Sequence, residues 1–146
     1  MTNIPVKKLR PDAVLPTRGS ASAAGADLYA CLDAPVTIAP GETVFLPTGL
    51  AMEIPEGYGG FVYARSGLAT KRGLAPANKV GVIDSDYRGE LLIGLHNHGA
   101  AAQTIEPGDR IAQLVIAPYL PACFFETEEL TQTQRGTGGF GSTGIK

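Results

Sequence analysis

The feature that most constrains this chain is its punctuation. Short apolar runs of three to seven residues are separated, almost without exception, by glycine and proline. With 19 glycines and 11 prolines in 146 residues, no stretch sustains a 3.6-residue apolar period for more than about two turns. Strands are expected at 4–9, 26–32, 35–39, 42–46, 50–54, 61–64, 80–84, 90–96, 103–106, 110–117 and 123–127. Residues 57–60 read as a turn. The one plausible helix is 66–71, with Ser66 as its cap and Gly73 as its stop. So many short strands with turns every ~8–12 residues predict an all-β sandwich or barrel of jelly-roll type.

Two segments repeat a turn. Thr37-Ile-Ala-Pro-Gly-Glu-Thr43 and Thr104-Ile-Glu-Pro-Gly-Asp-Arg110 both carry Pro-Gly, which suits the central positions of a type II turn. Two copies are too few for a solenoid, and matching turns on opposite halves of a sandwich are expected.

Composition excludes several classes. The net charge of −2 offers no basic field for duplex nucleic acid. No apolar run reaches transmembrane length and the N-terminus has no signal-like core, so a cytoplasmic protein is expected. Cys31 and Cys123 lack metal-ligand spacing and read as reduced, mostly buried thiols. His96 and His98 would share a strand face, but no third ligand accompanies them.

Residues 78–90, Asn-Lys-Val-Gly-Val-Ile-Asp-Ser-Asp-Tyr-Arg-Gly-Glu, read as a β-hairpin with an elaborated turn. Asp84 lies where the first arm turns, next to apolar neighbours. Desolvation there would raise its pKa and suit it to act as a general base. By composition alone Asp84, Ser85 and Asp86 are equally good turn formers.

This string resembles the third motif of the homotrimeric dUTPase family. Four more segments resemble that family's motifs in the same order: Ala24-Gly-Ala-Asp-Leu-Tyr29, Arg65-Ser-Gly-Leu-Ala69, Gly108-Asp-Arg-Ile-Ala-Gln113 and Arg135-Gly-Thr-Gly-Gly-Phe-Gly-Ser-Thr-Gly144. The resemblance implies a β-clip type of jelly roll over 1–130 and a mobile Gly-rich arm over 131–146 that closes over a neighbouring subunit's site. It implies hydrolysis of dUTP to dUMP and pyrophosphate by in-line water attack on the α-phosphorus, limiting uracil in DNA and supplying dUMP for dTMP synthesis.

The resemblance also implies roles. Asp84 is the base. Arg65, Ser66, backbone near Gly67, and Gln113 contact the phosphates, and Arg135 reaches the γ-phosphate. Asn78, Gly81, Val82 and Ile83 hold uracil, with Leu92 near the base. Tyr87 packs under the deoxyribose, and Phe140, followed by Gly141, covers the uracil. Mg²⁺ travels on the triphosphate, and Asp27 holds one of its waters. Arg110 is expected to pair with Asp27 or Asp109. Each active site of the homotrimer draws on three chains. A dCTP deaminase shares the fold but would need a catalytic Glu beside the base, and a non-catalytic nucleotide-binding relative would not need Asp84, Arg65, Tyr87, Arg135 and Phe140 together.

Overall fold

The computed structural model describes residues 3–139. Eleven short strands and one helix make four antiparallel ladders around one apolar core. The strands are β1 (Val6–Lys8), β2 (Ala26–Tyr29), β3 (Val36–Ile38), β4 (Thr43–Pro47), β5 (Leu50–Met52), β6 (Tyr58–Tyr63), β7 (Leu74–Pro76), β8 (Gly81–Ile83), β9 (Leu92–Asn97), β10 (Gln103–Ile105) and β11 (Arg110–Pro118). Helix α1 is Ser66–Arg72. The ladders run β1-β5, β3-β10, β2-β11-β6-β8 and β4-β9-β7. The result is a jelly-roll-like sandwich that does not close into a barrel.

The core follows from the alternation. Leu28, Ile38, Leu46, Leu74, Leu95, Ile105 and Ile111 are wholly buried and come from seven different strands. Each such side chain contributes about 2 kcal/mol by leaving water. Two polar side chains are equally buried, and both are satisfied. Thr48 Oγ1 donates to Leu91 O at 2.8 Å, and Asn97 Nδ2 donates to Ile38 O at 2.9 Å.

The two Pro-Gly turns form as expected, with Gly41 at φ 76° and Gly108 at φ 83°. In both, the last residue donates its N–H to the first and receives a bond on its side chain. Glu42 N bonds Ala39 O at 3.0 Å while Ala39 N bonds Glu42 Oε2 at 2.8 Å. Asp109 N bonds Glu106 O at 3.0 Å while Glu106 N bonds Asp109 Oδ2 at 3.0 Å. The repeats do not lie on opposite halves of the sandwich, however. Their strands β3 and β10 pair with each other, with Thr37 opposite Thr104.

Several expectations are corrected. Residues 57–60 are not all turn: only Gly57 takes a positive φ, 80°, and β6 begins at Tyr58. Gly60 belongs inside that strand because a Cβ there would come within 2.8 Å of Ile54 Cδ1. Strand β7 was not anticipated, because Leu74-Ala-Pro76 is too short to show alternation. Residues 123–127 form no strand, and Phe124 and Phe125 are 94% and 83% exposed. Their alternation has no partner strand among the described residues. The N-cap of α1 is Arg65, not Ser66, and no side chain caps it. Gly73 does end the helix, at φ 66°.

Cys31 is buried as expected, and burial pushes its thiol pKa up; Cys123 is exposed. The rings of His96 and His98 meet edge to face at 4.3 Å, with His96 Nδ1 against Thr43 Oγ1 at 2.8 Å. Partial desolvation, then the nearby charges of Lys79 and His96, hold His98 below the usual imidazole range. Among the described residues no helix is long and apolar enough to cross a membrane.

Candidate active site

The expected site residues fall into two groups. The first group surrounds a slot between β8 and β9. These strands read as the arms of a hairpin in the sequence, but they do not pair with each other. Among the described residues strand β8 pairs only with β6, placing Gly81 opposite Val62 and Ile83 opposite Gly60. Strand β9 pairs with β4 and β7 in a different ladder. The splayed arms leave a cavity of about 250 Å³. Asn78, Gly81, Val82, Ile83, Asp84, Tyr87 and Leu92 all line it.

Because β8 is an edge strand, the side of its backbone facing the slot has no ladder partner. An unpaired strand edge offers N–H and C=O groups in alternation, which suits it to read the donor and acceptor pattern of a flat polar ring. The loop before β8 is fixed to the other wall: Ala77 N donates to Gly94 O on β9 at 2.7 Å. Lys79 takes φ 66° and turns the chain from Asn78 into β8. A side chain on Gly81 would be tight, with a Cβ 3.2 Å from Asn78 Nδ2 and 3.3 Å from Val62 Cβ.

At the far end of β8 the chain turns through Asp84 to Tyr87, with Tyr87 N donating to Asp84 O at 3.2 Å. The Asp84 carboxylate is exposed and receives no hydrogen bond among the described residues. The desolvation expected for it is not supplied by this chain alone. The Tyr87 phenol donates to Glu90 O at 3.0 Å. The slot is also lined by Val62, Pro76, Glu90, Leu91, Ile93 and Gly94, none of which the sequence reading had assigned to it. Glu90, Leu91, Ile93 and Gly94 lie on the expected 90–96 arm; Val62 and Pro76 are brought in by the β6-β8 and β7-β9 pairings.

The second group sits at the end of β6, β11 and β2. Gln113 on β11 stands opposite both Asp27 on β2 and Tyr63 on β6. Asp27 is held at both oxygens: Arg65 Nε reaches Oδ1 at 2.7 Å and Arg110 Nη1 reaches Oδ2 at 3.1 Å. Of the two partners considered for Arg110, the structure selects Asp27. Arg65 Nη1 also donates to Arg110 O at 3.2 Å. Gln113 Nε2 donates to Ala64 O at 2.8 Å, and its Oε1 occupies the space where a Cβ on Gly25 would be. Ser66 and Gly67 follow Arg65 directly and open α1, with open space beside Gly67. The group is thus an arginine pair, an amide and a helix start around one carboxylate.

Register separates Asp84 from Arg65, although Gly81, opposite Val62, lies one residue from the Tyr63 that faces Gln113. Ile83 is opposite Gly60, so Asp84 lies beside Gly59 near the start of β6, whereas Arg65 lies two residues beyond its end. At ~3.3 Å per residue that separation is on the order of 20 Å. Arg135 joins neither group; its Nε donates to Gly138 O at 2.7 Å within its own segment. Phe140 and Gly141 lie outside the described residues.

Residues 12–144 match the dUTPase family model. The chain is 54% identical over 132 residues to the deoxyuridine 5'-triphosphate nucleotidohydrolase of Desulfitobacterium hafniense, covering 90% of this chain and 87% of that one. It is 52% identical over 142 residues to the protein of the same name from Syntrophotalea carbinolica, covering 97% of each. Its fold is similar to that of the Staphylococcus bacteriophage 80alpha dUTPase with dUPNHPP, with a TM-score of 0.90 at 31% identity over 99% of this chain and 100% of that one. It is also similar to a variant dUTPase from phage phi11 of S. aureus described with a structural Mg(II) ion, with a TM-score of 0.79 at 28% identity over 88% of this chain and 98% of that one. Agreement over nearly the full length, in sequence and in fold, makes this chain a member of the dUTPase family.

Proposed function

We propose that this protein hydrolyses dUTP to dUMP and pyrophosphate at a site shared between copies of the chain. The observation that carries the reading is the slot between the unpaired arms β8 and β9, with Asp84 and Tyr87 at one end and Asn78 at the other. Uracil fits between the arms, where the free edge Gly81–Ile83 and Asn78 meet its Watson–Crick edge. Thymine's methyl finds no room, and cytosine's amino group leaves a donor facing a donor, a mismatch that costs binding. Leu92 borders the base. Tyr87 packs under the deoxyribose and leaves no space for a 2′-hydroxyl.

Asp84 takes a proton from the attacking water. Water then forms the new bond to the α-phosphorus as the bond to the bridging oxygen breaks and pyrophosphate leaves. A free, solvent-accessible carboxylate can perform this step once a neighbouring subunit encloses it. Arg65, Ser66, the amides around Gly67 and Gln113 receive the phosphates, to which Arg is suited by its planar fork of donors.

Asp84 and Arg65 are on the order of 20 Å apart along the sheet, farther than one triphosphate reaches. One chain therefore supplies the slot and Asp84, and another supplies Arg65 and Gln113. This supports a homotrimer in which residues 1–130 form the catalytic body. Residues 131–146 form an arm that brings Arg135 to the γ-phosphate and Phe140, with Gly141, onto the uracil of a neighbour. The exposed Phe124 and Phe125 leading into it support the same reading, since they need a neighbour to cover them.

Mg²⁺ fits this donor set as a passenger of the substrate. Among the described residues no group of three or more His, Cys, Asp or Glu could hold a metal ion, and Asp27 is already bridged by two arginines. Mg²⁺ retains water and prefers substrate phosphates, so Asp27 would meet it through a water, and the ion would neutralise phosphate charge. We place the enzyme in the cytoplasm, with the nucleotide pool as its substrate and neither nucleic acid nor membrane as a partner.

The test is pyrophosphate release with Mg²⁺ from dUTP, dCTP, dTTP and UTP in parallel. Release from dUTP alone is expected, and Asp84→Asn should lower it by about 10²–10⁴-fold while dUTP still binds. Ammonia from dCTP, or binding without turnover in the unmodified protein, would contradict the assignment.

A further inference from the structure

Strands β8 and β9 do not pair, and the start of the second wall, Glu90-Leu91, precedes β9 and lies outside every ladder, so its position is set from elsewhere. The structure shows from where. Segment 48–50 grips the start of that wall. Thr48 Oγ1 donates to Leu91 O at 2.8 Å, and Leu91 N donates to Leu50 O at 2.8 Å. Gly49 N donates to Glu90 Oε1 at 2.8 Å. Gly49 cannot move to suit its partner. It is buried, takes φ 67°, and a Cβ there would come within 2.8 Å of Ala13 Cβ and 2.9 Å of Cys31 Sγ. Its carbonyl is also bound, by Leu9 N at 2.8 Å.

Glu90 is the next link. Its side chain is fixed by the Gly49 amide, and its own carbonyl accepts the Tyr87 hydroxyl at 3.0 Å. The phenol lies against Gly89, where a Cβ would run into the Tyr87 oxygen. The ring of Tyr87, 46% exposed and otherwise free on its turn, is thereby tied through Glu90 to a rigid buried glycine.

We propose that Glu90 is a positioning residue for Tyr87, and that its bond to the Gly49 amide sets how strongly the site rejects a ribonucleotide. The inference rests on the reading of Tyr87 as the floor under the deoxyribose. It does not require the Glu90 charge, since an amide oxygen accepts the same hydrogen bond. Removing the side chain leaves the buried Gly49 N–H without a partner and frees residues 87–90 to shift.

The experiment compares Glu90→Ala, Glu90→Gln and Tyr87→Phe with the unmodified protein, by kcat/KM for dUTP and UTP and by the ligand-free crystal structures. Glu90→Ala should raise UTP relative to dUTP by about tenfold, the size expected when an ordered contact is lost. Glu90→Gln should restore the unmodified ratio. Tyr87→Phe, which keeps the ring and loses only its tie, should shift the ratio in the same direction and carries the test if Glu90→Ala does not fold. In the crystal, Tyr87 should leave Gly89 in Glu90→Ala and stay there in Glu90→Gln. An unchanged ratio with a lowered melting temperature, or a Tyr87 ring that stays in place in Glu90→Ala, would overturn the proposal. If the unmodified protein failed to hydrolyse dUTP, the functional assignment would fall separately, and the Tyr87 positions would still decide whether Glu90 places the ring.

Discussion

Asp27 orients Arg65: its Oδ1 accepts the Arg65 Nε at 2.7 Å, and the carboxylate side chain is only 14% exposed. The residue expected to meet a metal-bound water therefore has a structural task in the ligand-free chain. It fixes the Arg65 guanidinium, the group proposed above to receive a phosphate. Arg110 occupies the other oxygen at 3.1 Å and keeps the carboxylate from rotating away.

Arg110→Ala follows from this. The loss of one partner of a largely buried carboxylate should cost about 1 kcal/mol and a melting temperature drop of about 2–6 °C. Arg65 would lose part of its alignment, so KM for dUTP should rise more than kcat falls. Calorimetry with steady-state kinetics checks both. Lost activity with unchanged stability would place Arg110 on the substrate instead.

Gly25→Ala tests the placement of Gln113. The added methyl meets the far end of a flexible side chain, so Gln113 should swing off Ala64 O instead of the backbone giving way. Stability should fall by no more than about 1 kcal/mol. If Gln113 holds a phosphate, KM for dUTP should rise several-fold, by about 1 kcal/mol of lost binding. An unchanged KM would remove Gln113 from the phosphate site.

Ending the chain at residue 134 removes Arg135 and everything after it. Among the described residues no buried core residue lies beyond Leu114, so the shortened protein should fold with an unchanged melting temperature. Its rate on dUTP should drop by about a hundredfold or more, since closure over the substrate is lost. Full activity would sink the proposed role of the arm.

Much of the architecture is legible before any coordinates. The Pro-Gly pairs announce Gly41 and Gly108 in left-handed turns, and Gly73 announces the end of α1. These are local devices, set by φ and by the absence of a Cβ. The slot is not legible in the same way. Residues 80–96 have the pattern of a hairpin, and only the long-range pairing of Val62 with Gly81 and of Phe45 with Gly94 pulls its arms into separate ladders. The same limit misled the reading of residues 123–127, whose alternation has no strand to pair with among the described residues. At the site, the residue types of Asp27, Arg65 and Arg110 suggest an ion pair, but only the β2-β11 pairing shows that one carboxylate serves both arginines.

In the proposed shared site one chain supplies Asp84 and another supplies Arg65. The direct measurement is to co-express Asp84→Asn and Arg65→Ala chains and assay the mixed assemblies for pyrophosphate release from dUTP. Each variant alone should be nearly inactive. In a random mixture about a quarter of the sites would combine an intact Asp84 with an intact Arg65 from its neighbour, so a comparable share of the unmodified rate should return. Mixed assemblies that remain as inactive as the separate variants would show that both groups act within one chain, and would contradict the shared site.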